Sequence, residues 1–125
     1  MKEDQLDLDL WMNQSLIRRQ NRLKSQMWSL FSELGNELNA HPLLLDFPSS
    51  KGIKLTKGND LLGFPYHVLD VVRDFDPTKG LNIRLLNWFG HGLFLFAYLG
   101  QNRAPYLINE LNLEQLRFAI AGDPF

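Results

Sequence analysis

The feature that most constrains the fold is the stretch of residues 52–100, which divides into short segments of strand-like composition. The last of these segments is apolar throughout and reads Leu93-Phe94-Leu95-Phe96-Ala97-Tyr98-Leu99. Because successive side chains of a strand point to opposite faces, a sheet built from this stretch is apolar on both faces. An antiparallel sheet with one face in water shows a polar phase instead. The pattern therefore predicts a sheet that needs cover on both faces. The long helix can cover one face, and the C-terminal helix, the connection at residues 42–48, another subunit or a ligand can cover the other.

Four strands are predicted, at residues 53–56, 66–75, 81–89 and 93–99. The glycine-containing stretch 57–65 between the first two strands is typical of turns. Residues 76–80 form a second turn, with Pro77 at the first corner and Gly80 after it. Residues 90–92, which read Gly-His-Gly, join the last two strands as a tight hairpin because glycine adopts positive φ angles readily.

Helices are predicted on either side of these strands. Residues 15–39 carry apolar side chains at helical spacing, and the helix ends before His41-Pro42 because a residue before proline disfavours the α region. Asn112-Leu113-Glu114-Gln115 resembles a capping box that opens a short C-terminal helix ending at Gly122. Residues 1–14 alternate leucine and aspartate, which leaves a strand, a frayed first turn and a flexible arm as alternatives. The sequence thus predicts a single α+β domain over residues 1–125, with a long N-terminal helix, about four antiparallel strands and a short C-terminal helix.

Composition argues against several classes of function. A formal net charge of -1 gives no global field for nucleic acid. The chain has no cysteine, and its three histidines lack the spacing of a metal site, so we expect no metal and no cofactor. The apolar runs are shorter than the ~20 residues that span a bilayer, and the first residues are acidic, unlike those of a secretory signal. We therefore expect a cytoplasmic protein without membrane or nucleic-acid partners.

Six polar or aromatic residues are candidates for a ligand site, without a catalytic assignment. They are His67, Asp70, Arg73, Arg84, Trp88 and His91. On a regular strand His67 and Arg73 share one face, whereas Asp70 shares the other with Val72. A partly buried Asp70 needs a donor, and Arg84 on the neighbouring strand is the natural partner. His91 lies at the tip of a hairpin, where exposed side chains often carry function.

A resemblance covers roughly residues 57–100. It rests on Lys57-Gly58-Asn59-Asp60, Gly63-Phe64-Pro65-Tyr66, Leu69-Asp70, Arg73, and Asn82-Ile83-Arg84 through Trp88-Phe89-Gly90. These residues resemble the KGENYxGLPY, LDYPR and IRTMFWWG patterns in a family of small uncharacterised proteins from Bacteroidetes bacteria. The chain departs from the family pattern at Leu61, Phe64 and Val72, and at 87–89. The resemblance implies an α+β fold and a cytoplasmic bacterial protein, and it brings no activity or catalytic residue.

Two functions of different classes follow from the sequence. The first is a non-enzymatic interaction or assembly protein that self-associates, as a homo-oligomer, through an apolar sheet face or the long helix. The second is a small-molecule-binding protein or enzyme with a pocket near His67, Asp70 and Arg84, lined by aromatic side chains. Convergence of those three polar side chains in one dry cleft would favour the second function.

Overall fold

The structure is a computed structural model that describes residues 5–101. Two helices come first, α1 (Leu8–Trp11) and α2 (Gln14–Ala40), and a short 3₁₀ turn (Pro42–Asp46) follows. The remaining elements are four strands, β1 (Lys54–Leu61), β2 (Phe64–Asp74), β3 (Leu81–Trp88) and β4 (Gly92–Leu99). They form one antiparallel sheet in the order β1-β2-β3-β4. One long helix and an antiparallel sheet make this an α+β fold, as predicted, whereas the predicted C-terminal helix lies outside the described residues.

Both ends of α2 follow from local hydrogen bonding. The Asn13 side chain accepts a hydrogen bond from the backbone N–H of Leu16 at 3.0 Å, which satisfies one of the free donors of the first turn. At the other end, His41 is extended, with φ -79° and ψ 136°, because Pro42 follows it. The predicted long helix is therefore confirmed within one residue at each end.

The leucine–aspartate alternation near the N-terminus does not form a strand. Asp7 accepts a hydrogen bond from the backbone N–H of Leu10 at 3.0 Å and caps the four-residue helix α1. A strand with this alternation would need a partner strand, whereas an aspartate N-cap stabilises a helical turn locally. Among the three alternatives for residues 1–14, the single helical turn is what the structure shows for residues 8–11.

The predicted turn at 57–65 is wrong, because β1 continues to Leu61 and the chain turns at Leu62 and Gly63 alone. Both turn residues have positive φ, 53° and 89° respectively, as a two-residue hairpin requires. Gly58 lies inside the strand opposite Tyr66, where an added Cβ would lie 2.5 Å from the tyrosine ring. This glycine therefore marks a close approach between side chain and backbone, and the same residue type in sequence had indicated a turn.

A β-bulge in β2 changes which side chains share a face. Asp70 pairs with Arg84, and Val72 pairs with Ile83, so one extra residue, Val71, is inserted between them. Val72 consequently joins the face of His67, whereas Arg73 joins the face of Asp70. The predicted face-sharing of His67 with Arg73, and of Asp70 with Val72, is wrong because it assumed a regular strand.

Helix α2 covers one half of one sheet face. The ring of Trp28 lies 5.2 Å from that of His67, Gly35 faces Leu69, and Asn39 lies near Val71, so α2 runs parallel to β2. The principal buried side chains on this side of the sheet are Phe31 of α2 and Leu69 and Val72 of β2. Its contacts with the sheet are made to β1 and β2. We call this face, which contains His67 and Leu69, the helix face.

Cover on the helix face decreases from β2 to β4. Leu69, Leu85 and Leu95 form one cross-strand row on this face. Leu69 is 0% exposed, Leu85 is intermediate, and Leu95 is 68% exposed. The second face, in contrast, contains buried Val68 and Leu86. Apolar side chains lie on both faces, although the second face also carries the polar residues Asp70 and Arg84, and the most exposed apolar side chains of β4 lie on the helix face.

Candidate functional site

His67 lies on the helix face near the start of β2, and its environment disfavours the charged form of the ring. Its imidazole is 5% exposed and makes edge contacts with the rings of Trp28, Phe31 and Phe89. Burial, with the positive charges of Lys57 and Lys24 adding to it, lowers the pKa of His67 below its usual value. The neutral ring then carries one proton.

The hydrogen bond at Nδ1 assigns that proton to the other ring nitrogen. The amide Nδ2 of Asn87, a buried neighbour on β3, lies 3.4 Å from His67 Nδ1. With the Asn87 amide in this orientation Nδ2 donates to Nδ1, and the matching imidazole tautomer carries its proton on Nε2. Within residues 5–101 the ring makes no other hydrogen bond, so Nε2–H is a donor without a protein acceptor in this part of the chain.

Asp70 and Arg84 form an ion pair on the opposite face of the sheet. Arg84 Nε donates to Asp70 Oδ1 at 2.7 Å, and Arg84 Nη2 lies 3.5 Å from Oδ2. The Asp70 side chain is the more buried member of the pair. The partnership expected from the sequence is therefore present. The sheet itself separates the pair from His67, so the three side chains do not converge in one cleft.

Arg73 anchors the segment that leads into β1. Its Nε donates to the carbonyl oxygen of Gly52 at 2.7 Å, and its Nη2 donates to that of Lys51 at 2.9 Å. Its backbone N–H donates to the hydroxyl of Ser50 at 2.9 Å. Through these hydrogen bonds Arg73 holds residues 50–52, which follow the 3₁₀ turn, against β2.

Trp88 and His91 lie together at the hairpin end of the sheet. Their rings stack with centroids 3.5 Å apart and planes 12° apart, and Phe64 makes an edge contact with His91 at 4.7 Å. Trp88 Nε1 donates to the carbonyl oxygen of Leu61 at 3.0 Å, which joins the two hairpins. The six candidates thus divide into four separate locations, of which only the pairs Asp70–Arg84 and Trp88–His91 are brought together.

A polar cleft opens beside His67, where α2 crosses the ends of β1 and β2. Its volume is about 340 Å³. It is lined by Lys24, Ser25 and Trp28 of α2, by Lys57 and Asn59 of β1, and by His67 of β2. The Nζ atom of Lys57 lies 4.8 Å from the centroid of the Trp28 ring. Sequence reasoning found only His67 among these residues, because the others become neighbours only when α2 lies on the sheet.

Residues 5–101 contain no group of three or more His, Asp or Glu side chains arranged to hold a metal ion. In the same range, no helix combines the length and apolar character needed to cross a bilayer.

The architecture defines a class, a small α+β protein in which one long helix lies along two strands of a four-stranded antiparallel sheet. Comparison of the chain with protein-family models, curated proteins and solved structures returned no match. The resemblance to small Bacteroidetes proteins therefore stays a prediction.

Proposed function

We propose that this is a non-enzymatic assembly protein, which self-associates by placing α1 and the N-terminal part of α2 of one copy on the open half of the partner's helix face. The observation that carries this proposal is the row of leucines across the sheet, buried at Leu69 and exposed at Leu95. Leu93, in the row of His67, is exposed in the same way. Contiguous exposed apolar area of this kind marks interaction surfaces.

The chain itself carries a segment suited to cover this area. We call residues 8–23 the overhang, because they precede the part of α2 that contacts the sheet. The overhang exposes a set of large apolar side chains, namely Leu8, Leu10, Trp11, Met12, Ile17 and Leu23. Helix on sheet is already the packing mode within one protomer, where Phe31 and Gly35 lie against the strands. The overhang offers the same kind of surface to a second sheet.

A second copy fits better than an unrelated partner because both halves of the interface are on one chain. A twofold arrangement places each overhang on the other copy's open sheet and covers both surfaces at once. Stable interfaces bury ~800 Å² per partner, and the exposed apolar side chains of the overhang and of β4 would both contribute to such an area. A net charge of -1 gives little repulsion between copies. We also propose that the protein acts in the cytoplasm, as the sequence predicts.

The test is sedimentation velocity on the full chain over a hundredfold range of concentration. We expect a dimer that dissociates on dilution, and we expect Leu95→Glu and Leu23→Glu to shift the protein to monomer at concentrations where the unchanged chain is dimeric. Leu45→Glu is the matched control, because Leu45 is also an exposed leucine, on the 3₁₀ turn outside both surfaces. A monomer at all concentrations, or equal loss in the control, would refute the proposal.

Mixing the two charge variants distinguishes this arrangement from other dimers. In a mixed dimer the intact overhang of the Leu95→Glu copy lies on the intact sheet of the Leu23→Glu copy, so one of two contact areas is restored. We therefore expect the mixture to associate more strongly than either variant alone. A dimer formed by helices alone would be insensitive to Leu95→Glu, and this result would contradict the helix-on-sheet arrangement.

A further inference from the structure

The polar cleft beside His67 has the charge of a binding site for an anion. Among residues 5–101, three titratable side chains line it, Lys24 from α2, Lys57 from β1 and His67 from β2, and none of the lining residues in this range is a carboxylate. Lys24 and Lys57 bring two positive charges to one cleft on a chain whose net charge is -1. Their combined effect is felt by His67, whose pKa both lysines lower in addition to the effect of burial. Such a potential favours a group that bears about two negative charges.

The cleft also presents hydrogen-bond donors at fixed positions. His67 Nε2–H is the donor left over when Nδ1 accepts from Asn87, and the ring that carries it is 5% exposed. Three aromatic rings hold this imidazole in place, so its orientation is set before any ligand arrives. Ser25 and Asn59 add a hydroxyl and an amide to the same lining. An acceptor oxygen from a ligand in the cleft would pair with the Nε2–H donor.

Trp28 gives the cleft an apolar wall. Its ring lies between Lys57, at 4.8 Å, and His67, whose ring meets it at an angle of 70°. The volume of about 340 Å³ exceeds that needed for a bare tetrahedral anion and lies at the low end of small-molecule sites. The cleft therefore accommodates an anionic group together with a small flat or apolar portion.

We infer that this cleft is a binding site for a small organic phosphate, with the phosphate between Lys24 and Lys57, one phosphate oxygen on His67 Nε2–H, and the organic portion against Trp28. Phosphate dianions match two ammonium groups in charge and accept several hydrogen bonds at once. The inference does not rest on self-association, because the cleft is formed within one protomer by residues of α2, β1 and β2.

The experiment is titration of the full chain with phenyl phosphate, inorganic phosphate and phenol, followed by tryptophan fluorescence and by NMR shifts of the His67 ring. We expect phenyl phosphate to bind at least tenfold more tightly than either fragment and to shift the His67 Nε2–H resonance. Lys57→Met should weaken its binding about tenfold, since one charge-assisted contact is lost. Trp28→Leu should reduce the preference for phenyl phosphate over inorganic phosphate.

Lys51→Met is the matched control, because Lys51 is an exposed lysine that lies over an aromatic ring, 5.1 Å from Phe75, as Lys57 lies over Trp28. Unchanged binding in this variant supports the site, and equal weakening by Lys51→Met and Lys57→Met would overturn it. Absence of a His67 shift at millimolar phenyl phosphate would overturn it as well. Vesicles containing phosphatidic acid serve as a second probe, and preference for them over phenyl phosphate would refute a soluble ligand.

Discussion

Replacement of Phe31 by alanine tests the central contact of the fold, the packing of α2 on the sheet. Phe31, on the side of α2 that faces the sheet, is 2% exposed, whereas the preceding residue, Leu30, is 56% exposed. Consecutive residues of a helix point about 100° apart, so the two side chains report on how the helix is rotated about its axis. Phe31→Ala removes buried area, and Leu30→Ala removes area that is mostly in water.

The size of the effect follows from burial and from the room around the side chain. Loss of a buried phenylalanine costs about 3–5 kcal/mol of unfolding free energy. Phe31 also borders a cleft of about 300 Å³ that contains Gly35 and Leu69, so water and neighbouring side chains can fill part of the vacated space. We therefore expect the low end, about 3 kcal/mol. Leu30 buries less than half of its side chain, and because a fully buried leucine is worth about 1.5–3 kcal/mol, Leu30→Ala should cost about 1 kcal/mol or less.

The assay is urea unfolding followed by tryptophan fluorescence, with Trp28 close to the altered contact. With a slope of about 1–3 kcal/mol per molar urea, Phe31→Ala should lower the midpoint by about 1–3 M, roughly three times the effect of Leu30→Ala. Each variant is measured at two protein concentrations that differ tenfold, so that any contribution of association to the unfolding midpoint is visible. Equal costs for the two variants, or a larger cost for Leu30→Ala, would show that α2 presents a different face to the sheet.

Two further predictions concern His67 and Asp70. Because burial lowers the pKa of His67 in the folded state, unfolding takes up a proton below pH 6.5, so stability is complete above that pH and decreases as pH falls, by at most about 1.4 kcal/mol per pH unit. Urea midpoints at pH 7.5 and 5.5 should show this loss of stability. His67→Gln should remove the loss, and the control variant His91→Gln, at an exposed site, should retain it. If the loss remains in His67→Gln, it does not come from His67. In the same assay Asp70→Ala should lower the free energy of unfolding by about 1.5–3 kcal/mol, the value of a hydrogen bond to a charged group. Asp74→Ala, whose side chain accepts one hydrogen bond from the backbone, should cost less. The reverse order would show that the ion pair of Asp70 with Arg84 does not stabilise the fold.

The elements that the sequence predicted well are those determined by neighbouring residues. The long helix ends where Pro42 forces an extended residue, and the turn after β2 is fixed by Asp76. The carboxylate of Asp76 accepts hydrogen bonds from the backbone N–H groups of Thr78 and Lys79 and from the hydroxyl of Thr78, which together lower its pKa. Such signals are local, so they can be recognised along the chain without knowledge of the tertiary structure.

The elements that were missed depend on contacts between distant residues or on a choice that the pattern leaves open. Residues 71 and 72 are both valine, so the alternation of apolar and polar residues does not indicate that Val71 is the extra residue of a bulge. Gly58 is required by the ring of Tyr66, which approaches it only once β1 and β2 are paired. The cleft beside His67 needs Lys24 and Trp28 at one end of the sheet, and no spacing within the sequence fixes the direction in which α2 lies.

The direction of α2 accounts for both proposed surfaces. Trp28, the fifteenth residue of α2, contacts His67, the fourth residue of β2, so about 21 Å of helix but only about 10 Å of strand precedes this contact. The first part of α2 therefore extends beyond the sheet. Where it leaves the sheet, Lys24 and Trp28 stand over His67 and form the cleft. Because the helix follows β1 and β2 instead of crossing the strands diagonally, it also leaves Leu93 and Leu95 on β4 uncovered. One packing choice thus creates a basic cleft, a free apolar helix segment and an open sheet surface, and a second copy that uses the last two would bury them without displacing the contacts that form the first.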